Sequence, residues 1–279
     1  MKAKLLLIAA CAFGMMANAQ LLEIQSVKKL TVSTDSEMKV AGFSPVGDYL
    51  LLTDDVDKGL IRYDLATGTQ TQLTEALGAG WAVKISKDGQ DIVYREMTIG
   101  EDKLVKHDIV KMNMVKKETT TVAKAQRDMT NFVHANNANS ITINEDLHMV
   151  LVRNGKNVVL TPNGTDEAYN WASISPNGQN IVYYVSAVGC FVCDMKGQNV
   201  KLVAKECRAP QWYNDNIIIG MADEDDGKFL TASAIVAYDL QGKGQILINK
   251  ENMALYPYAS EGKIAFSNAS GEVFLMNVK

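Results

Sequence analysis

Two clusters of aspartates are the residues of this sequence best suited to hold a metal ion. They are Asp54, Asp55 and Asp57 in one segment, and Asp223, Asp225 and Asp226 in another. Calcium takes carboxylate oxygens, but it needs about six to eight oxygen ligands in a closed arrangement. Neither segment has the spacing of a known calcium loop, so solvated hairpin tips are the alternative interpretation. Calcium is the only cofactor that the sequence suggests.

The three histidines, His107, His134 and His148, are the other candidate metal ligands. A metal site needs ligands that converge in space. These histidines have no close spacing, so the fold itself would have to bring them together. Surface or turn positions are the alternative.

The cysteines could carry redox chemistry. Cys190 and Cys193 have the C-x-x-C spacing, which in redox enzymes lies at the start of a helix. The surrounding residues predict a strand, where an offset of three directs two side chains to opposite faces. If residues 196–199 form a hairpin turn, Cys207 instead lies diagonally near Cys190. The sequence therefore predicts either a Cys190–Cys207 disulfide, as in other exported proteins, or three buried thiols.

Motifs for other reactions are missing from the sequence. It contains no G-x-S-x-G nucleophile motif, no phosphate-binding loop and no paired-carboxylate signature. The formal net charge is −4, which does not indicate the concentrated basic face that nucleic acid requires. We therefore expect a binding protein rather than an enzyme, and no nucleic-acid partner.

The elements that must position these residues are short strands. The clearest set spans residues 171–203, where strands are separated by Ser175-Pro176-Asn177-Gly178 and by a second turn at 196–199. Pro fixes φ and Asn-Gly tolerates positive φ, so the chain reverses there easily. The β-branched and aromatic residues between the turns favour strands. The segment is predicted to be a four-stranded antiparallel meander of roughly 40 residues, the size of one propeller blade.

The same pattern recurs along the chain. Ser44-Pro45-Val46-Gly47 and Ser86-Lys87-Asp88-Gly89 each precede an apolar strand, and weaker copies follow later. A degenerate unit lies between, with strands predicted at 132–136, 140–144, 148–153 and 157–161. First strands are placed near Val40, Trp81, Phe132, Trp171, Trp212 and Tyr258. This period predicts an all-β fold, a six-bladed β-propeller of four-stranded antiparallel blades.

The N-terminal strand is expected to close the ring. The last unit ends with its third strand, and residues 22–31 resemble the fourth strand of the first blade at 69–74. Pairing the two chain ends removes open sheet edges. Deletion of residues 20–31 should then destabilise the whole ring.

Four aromatic residues at or near the first strands are the candidate binding residues: Trp81, Trp171, Trp212 and Tyr258. First strands line the central channel of a propeller. One interpretation is that these side chains pack between blades. The other is that some of them rim the channel mouth and stack on a sugar or on a partner's side chain.

A family resemblance rests on the first unit. Its Ser-Pro-x-Gly turn and apolar strand are followed by Tyr63-Asp64-Leu65-Ala66-Thr67-Gly68 and by Gln72-Leu73-Thr74. This pattern resembles the repeat of TolB-type β-propellers. The resemblance covers residues 20–279, with three units that match well and three that diverge. It implies the fold much more than a function, although TolB-type propellers generally act as protein-binding platforms or as regulatory propellers attached to enzymes.

The first 19 residues predict export. Lys2 and Lys4 precede an apolar run at 5–16, and Ala17-Asn18-Ala19 is a small-x-small motif before Gln20. This is the pattern of a secretory signal peptide, and the run is shorter than the roughly 20 residues of a membrane span. Lipoprotein processing at Cys11 is the less favoured alternative. We expect location in the periplasm, at the cell surface or outside the cell, with no transmembrane segment after cleavage.

Together these features predict an exported, non-enzymatic β-propeller (residues 20–279) that binds a protein partner in the cell envelope. Two alternatives stay open. One is a propeller that binds a glycan or another small ligand through the channel aromatics. The other is a propeller enzyme of the polysaccharide lyase or hydrolase type, with a site at the channel mouth.

Overall fold

The computed structural model describes residues 20–34, 36–127, 139–153, 156–260 and 262–279. Apart from one 3₁₀ turn, Lys250–Asn252, the regular structure of these residues is β-strand. The predicted signal peptide with Cys11, and also His134, lie outside the described residues. No helix in the described ranges is long and apolar enough to cross a membrane.

The strands form six antiparallel sheets, the blades of a six-bladed β-propeller, as predicted. One strand, β1 (Ile24–Lys29), precedes the first blade. Blade one contains β2 (Met38–Phe43), β3 (Tyr49–Asp54), β4 (Leu60–Asp64) and β5 (Gln70–Thr74). Blade two contains β6 (Lys84–Ile85), β7 (Asp91–Ile99), β8 (Val105–Asn113) and β9 (Glu118–Gln126). Blade three contains β10 (Asn139–Ile143), β11 (Met149–Arg153) and β12 (Lys156–Leu160).

The second half of the chain builds the remaining blades. Blade four contains β13 (Tyr169–Ile174), β14 (Asn180–Val185), β15 (Gly189–Asp194) and β16 (Lys201–Ala204). Blade five contains β17 (Arg208–Trp212), β18 (Ile217–Asp225), β19 (Leu230–Asp239) and β20 (Gly244–Ile248). Blade six contains β21 (Ala254–Ser260), β22 (Lys263–Asn268) and β23 (Val273–Val278). In each blade the first strand in the sequence is the innermost.

The predicted glycine turns explain where the strands reverse. Gly47, Gly89 and Gly178 have φ values of 71°, 72° and 71°, which are left-handed values that favour glycine. In the first turn the Gly47 N–H donates to the Ser44 carbonyl at 2.9 Å, and the equivalent bond closes the other two turns. The strands that follow, β3, β7 and β14, are buried over much of their length. Each turn therefore delivers an apolar strand into the core.

The N-terminal strand closes the ring, as the sequence predicts. β1 pairs antiparallel with β23, beginning with Ile24 opposite Val278, and the order of this sheet is β1-β23-β22-β21. Next to the strand, Glu23 and Lys279 exchange backbone hydrogen bonds of 2.8 and 2.9 Å. Residues from both ends of the sequence are thus held in one blade.

The third blade departs from the prediction. Its described strands are in the order β10-β11-β12, and β10 packs beside β13 of the next blade. β10 is therefore the innermost strand, whereas the sequence pattern places it second; the strand predicted at 132–136 lies outside the described residues. The turn after β10 explains the error, because Leu147 takes the positive φ (57°) that glycine takes in the other turns. Without its glycine, the repeat could not be aligned correctly.

The hydrophobic core lies between neighbouring blades. Each blade interface has its own cluster of buried side chains. The cluster between blades two and three consists of Val93, Ile109 and Val152, and the one between blades four and five includes Cys190 and Trp212. This packing fixes each blade against two neighbours and so sets the positions of the loops at the channel mouth.

Candidate functional site

One face of the propeller, called the upper face here, is the side where the innermost strands begin and the second strands end. The connections between blades and the hairpins between second and third strands form this face. Trp81, Trp171, Asp57 and Asp223 all lie on it. The opposite side, where the Ser-Pro-x-Gly turns lie, is the lower face.

Backbone bulges shape the upper face. The innermost strands of blades four, five and six each have a register shift near their start. At these shifts Trp171, Ala209 and Tyr256 have φ values of 49°, 46° and 50°, which are strained for bulky residues. Bulges often redirect a side chain next to a functional site. Here they interrupt strand alternation where Trp171 and Tyr256 face the channel mouth, and Tyr256 is 39% exposed.

Trp171 lines a cavity of about 520 Å³ between blades four and five. This volume is within the range of pockets that hold small molecules. The ring of Tyr184 meets the indole of Trp171 edge-on, with ring centroids 5.8 Å apart. The other lining residues are Asn170, Ser186, Ala187, Lys205, Glu206, Arg208, Asp223 and Asp225.

Arg208 is held in place at this cavity by two contacts. Its guanidinium carbon lies 5.6 Å from the centre of the Trp171 ring, within the range of a cation–π interaction. Its Nη1 lies 3.1 Å from Oδ2 of Asp223, whose side chain is 4% exposed. The Ser233 hydroxyl donates to Oδ1 of Asp223 at 2.8 Å. Because the Arg208 side chain is still 42% exposed, a ligand can reach a guanidinium that is already ordered.

The charges around the cavity nearly balance. Lys205 and Arg208 are basic, while Glu206, Asp223 and Asp225 are acidic. A highly anionic ligand would meet more negative than positive charge there. The arrangement suits a neutral polar ligand, or a protein segment that brings a basic group.

A second tryptophan–arginine pair lies across the ring in blade two. The guanidinium carbon of Arg95 is 5.3 Å from the centre of the Trp81 ring, and Trp81 is 52% exposed. Burial lowers the pKa of Arg95, and the nearby Asp57 carboxylate acts in the opposite direction. Oδ1 of Asp57 also pairs with Nζ of Lys39 at 2.9 Å. Two sides of the channel mouth thus carry an indole, a guanidinium and a carboxylate.

Two titratable side chains lie on the innermost strands that line the channel. Burial, and then the charge of Asp57, raise the pKa of Tyr258 to about 12, so its hydroxyl is protonated at neutral pH. Burial also lowers the pKa of Lys84. Tyr258 packs partly against the cluster between blades six and one. The channel wall is therefore poorly solvated, and polar contacts made there are strong.

Trp212 lies away from the upper face, at the end of its innermost strand. It is buried, and its indole Nε1–H donates to the Ser173 carbonyl of blade four at 3.1 Å. This contact is the inter-blade packing that the sequence left open as one of two interpretations. Trp171 and Trp81 occupy the channel-mouth positions, and ligand binding by them stays a prediction.

The aspartates proposed as calcium ligands bond mainly within their own loops. Oδ1 of Asp54 accepts from the backbone of its own turn. The backbone N–H groups of Phe229 and then Lys228 lower the pKa of Asp226, and Asp225 accepts from the Gly227 N–H. Within the residues that the structure describes, no three histidine, cysteine, aspartate or glutamate side chains are grouped to hold a metal. Calcium binding here stays a prediction.

The described histidines lie in different blades. His107 is buried in β8, where burial and then Arg95 lower its pKa. His148 precedes β11, and its Nε2 lies 2.9 Å from the Thr165 carbonyl oxygen. The structure therefore gives these two histidines separate surroundings.

Sequence reasoning missed the arginines and Tyr256. Arg95 and Arg208 were not identified because a lone arginine in a strand has no diagnostic spacing. Tyr256 was passed over for Tyr258, since the bulge that exposes Tyr256 depends on pairing with another strand. One usable signal was position, because Arg208 begins an innermost strand as the predicted binding residues do.

No family model matches the chain, and no curated protein matches it by sequence. Solved structures do match. A protein from Agrobacterium tumefaciens to which the name TolB has been given has a TM-score of 0.59 and 13% identity, covering 88% of this chain and 91% of that one. An oligogalacturonate lyase in complex with manganese has a TM-score of 0.54 and 15% identity, covering 85% and 76%. A chain of the mitotic checkpoint complex has a TM-score of 0.54 and 10% identity, covering 99% and 98%.

These likenesses show the fold, a six-bladed β-propeller, and at such low identities they show nothing finer. The three proteins include an enzyme and a member of an assembly. The fold therefore does not choose between the functional alternatives, and the site must.

Proposed function

We propose that this protein is an exported, TolB-type β-propeller that acts as a non-enzymatic protein-binding module in the cell envelope. The docking surface is the upper face. The observation that carries the proposal is the pair of tryptophan–arginine contacts, Trp81–Arg95 and Trp171–Arg208, on one face of the ring.

The chemistry of these pairs is that of a protein interface. Trp, Tyr and Arg dominate interface hot spots, where they anchor in desolvated surroundings. Arg208 is preordered by Trp171 and Asp223, so a partner would lose little side-chain entropy on contacting it. Tyr256 and Trp81 add exposed aromatic surface on the same face. Strain at Trp171 and Tyr256 is consistent with positions kept for binding rather than for stability.

The proposal is tested by crosslinking the tagged protein in its native envelope, followed by purification and mass spectrometry. The key variant is Arg208→Ala. The matched control is Arg62→Ala, because Arg62 lies 4.5 Å over the Tyr49 ring and pairs with Asp48 on the lower face. We expect a partner that is captured by the wild type and by Arg62→Ala, but several-fold less by Arg208→Ala. Equal capture by both variants contradicts the upper-face assignment.

Export is part of the proposal and has its own measurement. Cell fractionation with N-terminal sequencing should find the protein outside the cytoplasm, beginning at Gln20. A chain that keeps residues 1–19, or one that carries lipid on Cys11, would overturn the predicted processing.

A neutral saccharide is the second candidate ligand, and the Trp171 cavity favours it. An indole face beside Asn170, Arg208 and Asp223 combines ring stacking with polar contacts. Thermal shift against neutral oligosaccharides and oligouronates tests this candidate. Stabilisation by a neutral oligosaccharide that is lost in Trp171→Ala supports it. A flat response to the panel removes it and leaves the protein-binding proposal standing.

A further inference from the structure

Two cysteines that are distant in the sequence meet between blades four and five. Cys190 lies in β15, and Cys207 lies in the connection from β16 to β17. Both side chains are fully buried, and both belong to the cluster that joins these two blades. The Cys190 thiol hydrogen-bonds to Cys207. Cys193 belongs to the cluster on the other side of blade four, so it is held apart from this pair.

The surroundings are shaped to hold the Cys207 sulfur. Gly220 lies directly against it, because a Cβ on Gly220 would be 2.5 Å from Cys207 Sγ. On the other side, Cys190 is registered with Ala204, the last residue of β16. The pair therefore sits where the ladder of blade four ends and the chain crosses to blade five.

This crossing forms one wall of the cavity described above. Lys205 and Glu206 come just before Cys207, Arg208 comes directly after it, and all three of these neighbours line the cavity. Anything that anchors Cys207 to blade four therefore anchors the wall as well.

We infer that Cys190 and Cys207 form a disulfide when the chain folds in an oxidising compartment, and that this bridge fixes the 205–208 wall to blade four. The oxidant is a small or protein disulfide. One thiolate attacks the donor disulfide and releases one donor thiol. The second cysteine thiolate then attacks the resulting mixed disulfide and releases the other donor thiol. Two protons leave the cysteines, and the donor takes up two electrons.

Burial determines when this reaction occurs. In the folded protein both thiols are shielded from solvent, and the hydrogen bond to Cys207 together with burial raises the pKa of Cys190. Thiolate is the reactive form, so the folded, reduced protein reacts slowly. The bridge forms during folding, before blades four and five are packed together.

Refolding of residues 20–279 in a glutathione redox buffer tests the bridge. The product is denatured, alkylated with iodoacetamide and measured by mass spectrometry. We expect one adduct, on Cys193, and a crosslinked peptide pair containing Cys190 and Cys207. Cys190→Ser and Cys207→Ser should each give two adducts. Three adducts on the wild type, a bridge that includes Cys193, or covalent dimers would overturn the inference.

The effect on the wall is read as the difference between oxidised and reduced protein, which cancels the effect of any substitution on folding. Closing a loop of this length should raise Tm by roughly 6–12 °C, and amide exchange at residues 205–208 should slow. Cys193→Ala should keep both differences, and Cys207→Ala should lose them. Equal Tm and equal exchange with and without reductant in the bridged wild type would contradict the bracing role.

Discussion

Removal of the N-terminal strand should destabilise the entire propeller, although that strand belongs to one blade. β1 pairs with β23, and residues on each side of it are buried: Leu22 is 2% exposed and Leu30 is 5% exposed. Burying a leucine contributes about 1.5–3 kcal/mol, so these two side chains account for roughly 3–6 kcal/mol. Gln245 adds three hydrogen bonds to the backbone of residues 21 and 22. A domain has only about 5–15 kcal/mol in total.

The assay is urea unfolding followed by circular dichroism. A chain of residues 32–279 should unfold at a much lower urea concentration or fail to fold. Leu22→Ala is the milder test, with an expected loss of about 2–5 kcal/mol. Lys28→Ala is the control, because Lys28 is exposed on the same strand and should change stability by less than about 0.5 kcal/mol. A single shifted transition indicates ring closure. An unchanged midpoint for both the truncated chain and Leu22→Ala would refute it.

Three further perturbations follow from particular contacts. Gly220→Ala would place a methyl group 2.5 Å from a cysteine sulfur and should destabilise by about 1–3 kcal/mol in urea unfolding, whereas Gly42→Ala, which meets only a flexible side chain at 3.1 Å, should be milder. Trp212→Phe should lower stability by about 1 kcal/mol without changing partner capture, since its N–H serves an inter-blade hydrogen bond. Hydrogen bonds, the strongest from the Gln198 N–H, lower the pKa of Asp194. Its contribution is therefore complete above about pH 4 and is lost as pH falls through the lowered pKa, so Asp194→Asn should be less stable than wild type at pH 7 and nearly equal at pH 2.

The turns that glycine and proline mark could be predicted from sequence because their chemistry is local. Gly47, Gly89 and Gly178 adopt nearly identical φ values, and their spacing was enough to predict six blades. Leu147 shows the limit of this reasoning. A leucine with positive φ is held there by its blade rather than by its own preference, so the order of strands in blade three was predicted wrongly.

The candidate site was harder to predict because it depends on register between strands. Trp171 was identified by its residue type, but the bulge that places it at the cavity arises from pairing with β14. Arg208 and Asp223 are 15 residues apart in sequence, and only the packing of β17 against β18 brings them to 3.1 Å. A cysteine pair could be proposed from hairpin geometry because both partners flank one turn.

Site-specific photocrosslinking in the native envelope tests the central claim most directly. A photoreactive amino acid is placed at Trp81 or Tyr256 on the upper face, and at Val46 or Val115, which are exposed on the lower face. The account predicts one discrete protein adduct from both upper-face positions and none from the lower-face positions. Adducts from the lower face alone, or no adduct from any of the four, would contradict a protein-binding upper face.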